Sequence, residues 1–359
     1  GEPEGLSWLS RILMHHGLDF DVWRGNRSGY VALFARDGRI VHAKVNGYES
    51  IEEERPMRLE TRFRMASMTK PVTAVAAMQL YERGKFQLND PVSKHLPEFV
   101  GQKILVNGEL VDPKSPMTIR QLFTHTAGLT YGVTDDNPVD LQYTEARLSE
   151  SSDLKEYTGR VAKLPLRFEP GTRYHYSVAT DVLGALVERL SGQPLDEYFS
   201  EHIFEPLGMS DTFFSVPAEK RHRLAGSHIW DAKSGTVQAV PEDQDRSYTD
   251  VTLFSGGGGL VSTIFDYARF CEIFINDGLV NGAQILGPRT VQLMSANHLR
   301  ANVRTVGVGQ YPSSDLYPGQ SMALGMGVIT NAAITPAISS RGELSWSGAA
   351  GTKFWIDPA

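Results

Sequence analysis

Strand-forming sequence lies at both ends of this chain, and helix-forming, proline-broken sequence lies between them. That order restricts the available folds more than any other feature. Near the amino terminus, apolar residues at helical intervals (Leu6, Leu9, Ile12, Leu13) precede YVALFARDGRIVHAKVNGY, two strand-like runs joined at Asp37-Gly38. A helix followed by a hairpin is predicted. After an acidic turn at Glu52, Glu53 and Glu54, the segment FRMASMTKPVTAVAAMQLYERG reads as a short strand entering a long apolar helix that stops at Gly84. Pro71 is tolerable there only in the first turn. From about 85 to 215, prolines at 91, 97, 113, 116, 138, 165, 170, 194 and 206 punctuate helical and loop-rich sequence.

Strands return from about 216. SHIWDAKSGTVQAV reads as a hairpin, TLFSGGGGLVSTIFDYARFCEIFIND as a glycine-rich loop feeding a helix, and MALGMGVIT and ELSWSGAAGTKFWIDP as late strands. The expected architecture is therefore α/β (α+β): an antiparallel sheet flanked by helices, built from residues 1–84 and 216–359, with an all-helical subdomain inserted at 85–215. WIDPA reads as mid-strand, so one more strand and a closing helix are expected to follow. The glycines Gly256 to Gly259 lack the spacing of a phosphate-binding loop.

Bulk properties exclude several function classes. With 359 residues, 41% of them hydrophobic and 21% charged, the chain can bury a full core. A net charge of -7 without a long basic run argues against nucleic acid as a partner, since phosphate binding needs clustered Lys and Arg. The one cysteine, Cys271, cannot form an internal disulfide. No apolar run of about eighteen residues is present, and the first residues lack the layout of a secretory signal, so neither a membrane nor export is implied. The expected location is cytoplasmic, although the first residue is Gly and a signal peptide could already have been removed.

Chemistry centres first on Ser67-Met68-Thr69-Lys70. Three-residue spacing on a helix sets the hydroxyl and the amine on one face, near enough to share a proton. A bare serine hydroxyl is a poor nucleophile, and burial among Met65, Ala66, Val72, Val75 and Ala76 is the kind of setting that moves a lysine toward the neutral form able to take that proton. So short a motif recurs by chance, and it does so here at Ser152-Asp153-Leu154-Lys155. There, a Ser capping a surface helix with its Lys in solvent is a sufficient account. His15, His16 and His125 lack the carboxylate or thiol spacing of a zinc site, and His125 reads as a structural hydrogen-bonding residue. No metal or other cofactor is called for. A Gly-x-Ser-x-Gly elbow is absent in context, Gly319-Gln320-Ser321-Met322-Ala323 lying in a loop.

The run RMASMTKPVTAVAAMQLYERGKFQLNDPVSKHLPEF resembles the nucleophile helix and following loop of class C β-lactamases and their related esterases. PMTIRQLFTHTAGL, FEPGTRYHYSVATDVLGALVERLSG and HIFEPLGMSDT resemble later segments of the same superfamily, in its order, over residues about 58 to 357. The resemblance implies the β-lactamase/transpeptidase-like fold. It also implies that Ser67 is the nucleophile, Lys70 its partner, and Tyr176 of Tyr176-Ser177-Val178 the second-motif tyrosine, with Tyr174 a rival in poorer register. A tyrosine beside cationic charge can shuttle a proton to a leaving alkoxide.

Where lactamases carry Lys-Thr-Gly, this chain offers Trp346-Ser347-Gly348, similar to the family VIII carboxylesterases. Lys233-Ser234-Gly235 copies the lactamase triplet, but in a polar turn, and Trp23-Arg24-Gly25 precedes any plausible catalytic strand. By the same resemblance the backbone amides of Ser67 and Ala349 form the oxyanion hole. Val178 and Trp346 remove the amide and cation that grip a β-lactam, and an indole adds apolar surface. A carboxylesterase acting on small short-acyl or aryl esters is thus expected. The alternatives are a β-lactamase, a D-amino-acid peptidase or amidase, an acyltransferase, or a non-catalytic binding homologue. Monomer and homodimer are both left open.

Overall fold

The computed structural model describes residues 8–133, 137–241, 245–305 and 316–358, with backbone alone at 8–15 and 304–305. Two compact units emerge, Gly1–Arg64 with Met209–Val251 and Val261–Glu272, and Met65–Gly208 with Thr252–Leu260 and Ile273–Ala359.

In the first unit the predicted helix and hairpin occur as Trp8–Trp23 and the strands Gly29–Arg36 and Arg39–Ser50. Leu6 lies outside the described residues. Asp37 and Gly38 both adopt positive φ, 50° and 70°, the geometry whose twist matches that of a two-residue hairpin. Arg55–Pro56 adds a third antiparallel strand. The late hairpin pairs His228–Asp231 with Thr236–Ala239. Arg62 is 1% exposed and donates to the Asp211 carboxyl at 2.6 Å and the Lys220 carbonyl at 2.9 Å. A buried guanidinium demands such pairing.

The second unit is organised by two helices, Thr69–Glu82 and Ala179–Ser191, which pack on each other. Val72 through Met78 are wholly buried, as a helix apolar on every face requires. Ile119–Phe123, Leu154–Val161 and Leu195–Phe199 then cover Ala179–Ser191, whose end is turned by Gly192 at φ 76°. Strands Gln320–Met322, Gly327–Ile329, Leu344–Ser347 and Lys353–Ile356 form an antiparallel sheet in chain order.

An early strand, Phe63–Arg64, pairs antiparallel with a late one, Val261–Ser262. The structure differs from expectation in local detail. The helical segment also contains a hairpin, Ile104–Val106 with Glu109–Val111, turned by Asn107 and Gly108 at positive φ. Lastly, Asp153 and not Ser152 caps Leu154–Val161, its carboxyl accepting the Glu156 N–H at 2.7 Å. Lying one residue closer to the first turn, Asp153 reaches that amide, while Ser152 turns to the Glu156 side chain at 2.8 Å. No helix among the described residues is long and apolar enough to cross a membrane.

Candidate active site

Ser67 sits in a single 3₁₀ turn, Ala66–Met68, that leads into Thr69–Glu82. Ala66 is held at φ 44°, a left-handed conformation that costs a residue with a Cβ about 1–2 kcal/mol. The Met65 amide, donating to Leu260 O at 2.8 Å, anchors the approach. Lys70 follows one turn later and is 1% exposed. Its Nζ lies 3.1 Å from Ser67 Oγ and donates to Gly257 O at 2.6 Å.

Tyr176 arrives from the segment before Ala179–Ser191, and its hydroxyl meets Ser67 Oγ at 2.6 Å. Both of its chain neighbours hang on His125. The His175 N–H donates to His125 O at 2.8 Å, and the Ser177 N–H to His125 Nδ1 at 3.3 Å. His125 is itself left-handed, at φ 51°. Burial, then the charges of Lys70 and His175, hold its imidazole well below the ordinary histidine range, so the ring stays neutral and can accept. The expectation of a structural histidine thus acquires a specific partner.

Aromatic rings gather about Tyr176 and the Lys70 amine. Lys70 Nζ lies 4.7 Å from the Tyr176 ring centre and 5.5 Å from that of Tyr131, while Trp346 lies 5.9 Å from Tyr176 and parallel to His125 at 6.5 Å. Tyr131, which sequence reasoning passed over, packs its ring against that of Tyr176 with centres 5.3 Å apart, and burial followed by the proximity of Tyr176, Asp181 and Tyr157 pushes its phenol well above the ordinary range. Nothing local to GLTYGV marks that residue.

Trp346-Ser347-Gly348 runs along strand Leu344–Ser347 and the turn after it. A Cβ at Gly348 would stand 2.3 Å from Met65 O, so only glycine lets this strand lie against the nucleophile turn. The Gly348 N–H is taken by Thr352 O at 2.8 Å. Neither the Ser67 nor the Ala349 amide donates to another group among the described residues. One of the four glycines that matched no motif serves Lys70: the carbonyl of Gly257 accepts a hydrogen from its amine.

The rival motifs lie elsewhere. Lys155 is exposed beside the Asp153 cap. The Lys233-Ser234-Gly235 triplet forms an exposed turn whose N–H groups donate to Asp231 at 3.1 and 3.0 Å. Tyr174 packs edge-on to His125 at 6.2 Å. Trp23 is 78% exposed at a helix end. The His15 side chain and residues 134–136 and 306–315 lie outside the described residues. Among the described residues no cluster of three or more His, Cys, Asp or Glu side chains could hold a metal ion.

Comparison with known proteins places this geometry. The Beta-lactamase family model matches residues 14–359. Protein Rv1367c of Mycobacterium tuberculosis is 33% identical over 354 residues, covering 93% of this chain and 84% of its own. Esterase EstB of Burkholderia gladioli is 32% identical over 351 residues, with 92% and 83% covered. Among solved structures, EstCE1, described as a hydrolase with promiscuous acyltransferase activity, superposes with a TM-score of 0.79 at 30% identity, covering 97% of this chain and 90% of that one. The β-lactamase/transpeptidase-like α/β fold expected from the sequence is thereby shown, and the chain is a serine hydrolase belonging to the beta-lactamase family.

Proposed function

We propose that this chain is a carboxylesterase that cleaves small short-acyl or aryl esters through an acyl-enzyme on Ser67. One observation carries the reading: Ser67 Oγ stands 3.1 Å from Lys70 Nζ and 2.6 Å from Tyr176 Oη, so whichever of the two is deprotonated is within reach of the serine proton. Ser67 Oγ attacks the ester carbonyl carbon as its proton passes to the Lys70 and Tyr176 pair. The carbonyl oxygen becomes an oxyanion held by the Ser67 and Ala349 amides, a kind of donor worth about 3 kcal/mol. The bond to the alcohol then breaks, Tyr176 supplies the proton that the alkoxide takes, and acyl-Ser67 remains. A water gives its proton to the same pair, attacks the acyl carbon, and releases the acid with the proton restored to Ser67.

Ring surface favours the ester over the lactam. Trp346, His125 and Tyr131 pack around the Tyr176 ring, whose hydroxyl meets Ser67, and by the family resemblance Trp346 takes the place of the lysine that binds a β-lactam's carboxylate. A small-molecule ester is therefore the proposed substrate. Transfer of the acyl group to another alcohol is a second reading, supported by the likeness to EstCE1.

A fluorophosphonate probe tests the proposal. Intact-mass and peptide analysis should find one adduct, on Ser67, with parallel loss of p-nitrophenyl butyrate cleavage. An active enzyme that takes no label, or takes it elsewhere, would refute it. Adding an alcohol acceptor and quantifying ester against acid separates transfer from hydrolysis.

A further inference from the structure

We infer that Asp181 is a positioning residue for the reaction, setting the Lys70 amine against Ser67 through the peptide unit between Gly256 and Gly257. The inference rests on the assignment of Ser67 and Lys70 made above.

An amine on a four-carbon stem goes where its acceptors are. Lys70 Nζ has Ser67 Oγ at 3.1 Å and, closer, Gly257 O at 2.6 Å. The Gly257 carbonyl therefore aims the amine, and whatever holds that carbonyl aims it in turn. Four consecutive glycines are the least self-supporting backbone available, because each has more conformational freedom to lose than any other residue. The loop has to be pinned from outside.

The pins converge on one peptide. Its N–H, on Gly257, donates to Asp181 Oδ1 at 3.0 Å, and its carbonyl, on Gly256, accepts from Thr73 Oγ1 at 2.7 Å. Ser255 Oγ donates to the same Asp181 oxygen at 2.6 Å. Asp181 stands in the first turn of Ala179–Ser191 and Thr73 one turn beyond Lys70, so both central helices grip the loop. The fit is tight as well as bonded. A Cβ at Gly257 would lie 2.4 Å from Asp181 Oδ2, and one at Gly256 would lie 2.9 Å from Thr180 O.

Asp181 is 3% exposed and makes no ion pair among the described residues. A carboxyl buried in this way needs donors, and those it has belong to the loop that holds Lys70. What the clamp supplies is an acceptor oxygen at a fixed place. An amide oxygen can supply the same.

Asp181→Ala, Asp181→Asn, Thr73→Val and Ser67→Ala, beside the wild type, form the test, read by kcat and KM for p-nitrophenyl acetate, the rate of Ser67 labelling by a fluorophosphonate, and Tm. Asp181→Ala should slow both labelling and kcat about 100-fold, with KM within about threefold, the signature of a misplaced group in a formed pocket. Asp181→Asn should recover to within about fivefold of wild type, and Thr73→Val should fall between. Wild-type labelling in Asp181→Ala, or Asp181→Asn as slow as Asp181→Ala, overturns the inference. If Asp181→Ala does not fold, Thr73→Val decides, and an unchanged labelling rate there overturns it. Ser67→Ala that still turns over ester strikes the catalytic assignment and takes this inference with it. Ser67→Ala inert beside an unimpaired Asp181→Ala strikes only the role of Asp181.

Discussion

Two segments of this chain carry the same spacing of serine and lysine, and almost nothing else about them is alike. At 67–70 the lysine is buried, its amine shared between the serine hydroxyl and a backbone carbonyl, and a tyrosine from a distant segment completes the group. At 152–155 the serine bonds to Glu156, Asp153 caps the helix, and the lysine faces water. The three-residue offset by itself therefore decides little: Ser67 lies in the turn that opens its helix, and Ser152 lies ahead of the cap of its own. Chemistry enters where burial leaves the amine no solvent to bond and a third group is delivered by the tertiary fold.

The largest test of that contrast is Ser67→Ala, which should lower kcat for p-nitrophenyl butyrate by about 10⁴-fold or more. A variant that kept a tenth of the wild-type rate would erase the distinction between the two segments. Lys70→Ala and Tyr176→Phe should each lower kcat by about 10²- to 10⁴-fold with little change in KM, as expected for proton-transfer groups. Trp346→Lys should shift preference toward β-lactams, raising kcat/KM for a cephalosporin relative to the ester by about tenfold. Identical ratios for wild type and variant would place Trp346 outside the pocket.

A smaller effect should appear in stability. His125 is buried beside the 67–70 group with its folded pKa far below the unfolded value of 6.5, so below that pH the unfolded chain takes up a proton that the folded chain refuses. Stability should be flat above about pH 6.5 and fall below it, with His125 contributing at most about 1.4 kcal/mol per pH unit. Denaturant unfolding at pH 7.5 and 5.5 should show a shallower fall for His125→Gln, and equal slopes would mean the ring is not held neutral. Ser152→Ala with Lys155→Ala should change kcat less than about twofold and stability by about 0.5 kcal/mol or less. A marked loss of activity there would break the contrast from the other side.

What could be read in advance was whatever rests on local pattern. Asp37-Gly38 announces its hairpin because few other residues accept positive φ twice in succession, and the segment from Phe63 to Gly84 announces a strand and a buried helix by apolar density alone. Asn107-Gly108 carried the same turn signal in a stretch read as helix and loop, so that miss lay in the reading and not in the residues. Asp181, Gly257 and Tyr131 were out of reach for a different reason. Their contributions are a carboxyl bonded to an amide 76 residues away, a backbone carbonyl, and a ring packed on another ring, and none of these leaves a local spacing. The amides of Ser67 and Ala349 are equally silent, since every residue but proline has one.

The left-handed turn at Ala66 bears on how this enzyme would respond to engineering. Glycine at that position would relieve about 1 kcal/mol of conformational energy, and a search for heat tolerance would be drawn to it. The same exchange would loosen the joint that orients the next residue's hydroxyl, so the stabilised protein should be the slower one. Thermal hardening of this fold is better sought away from that hinge, where rigidity and turnover are not set by the same dihedral angle.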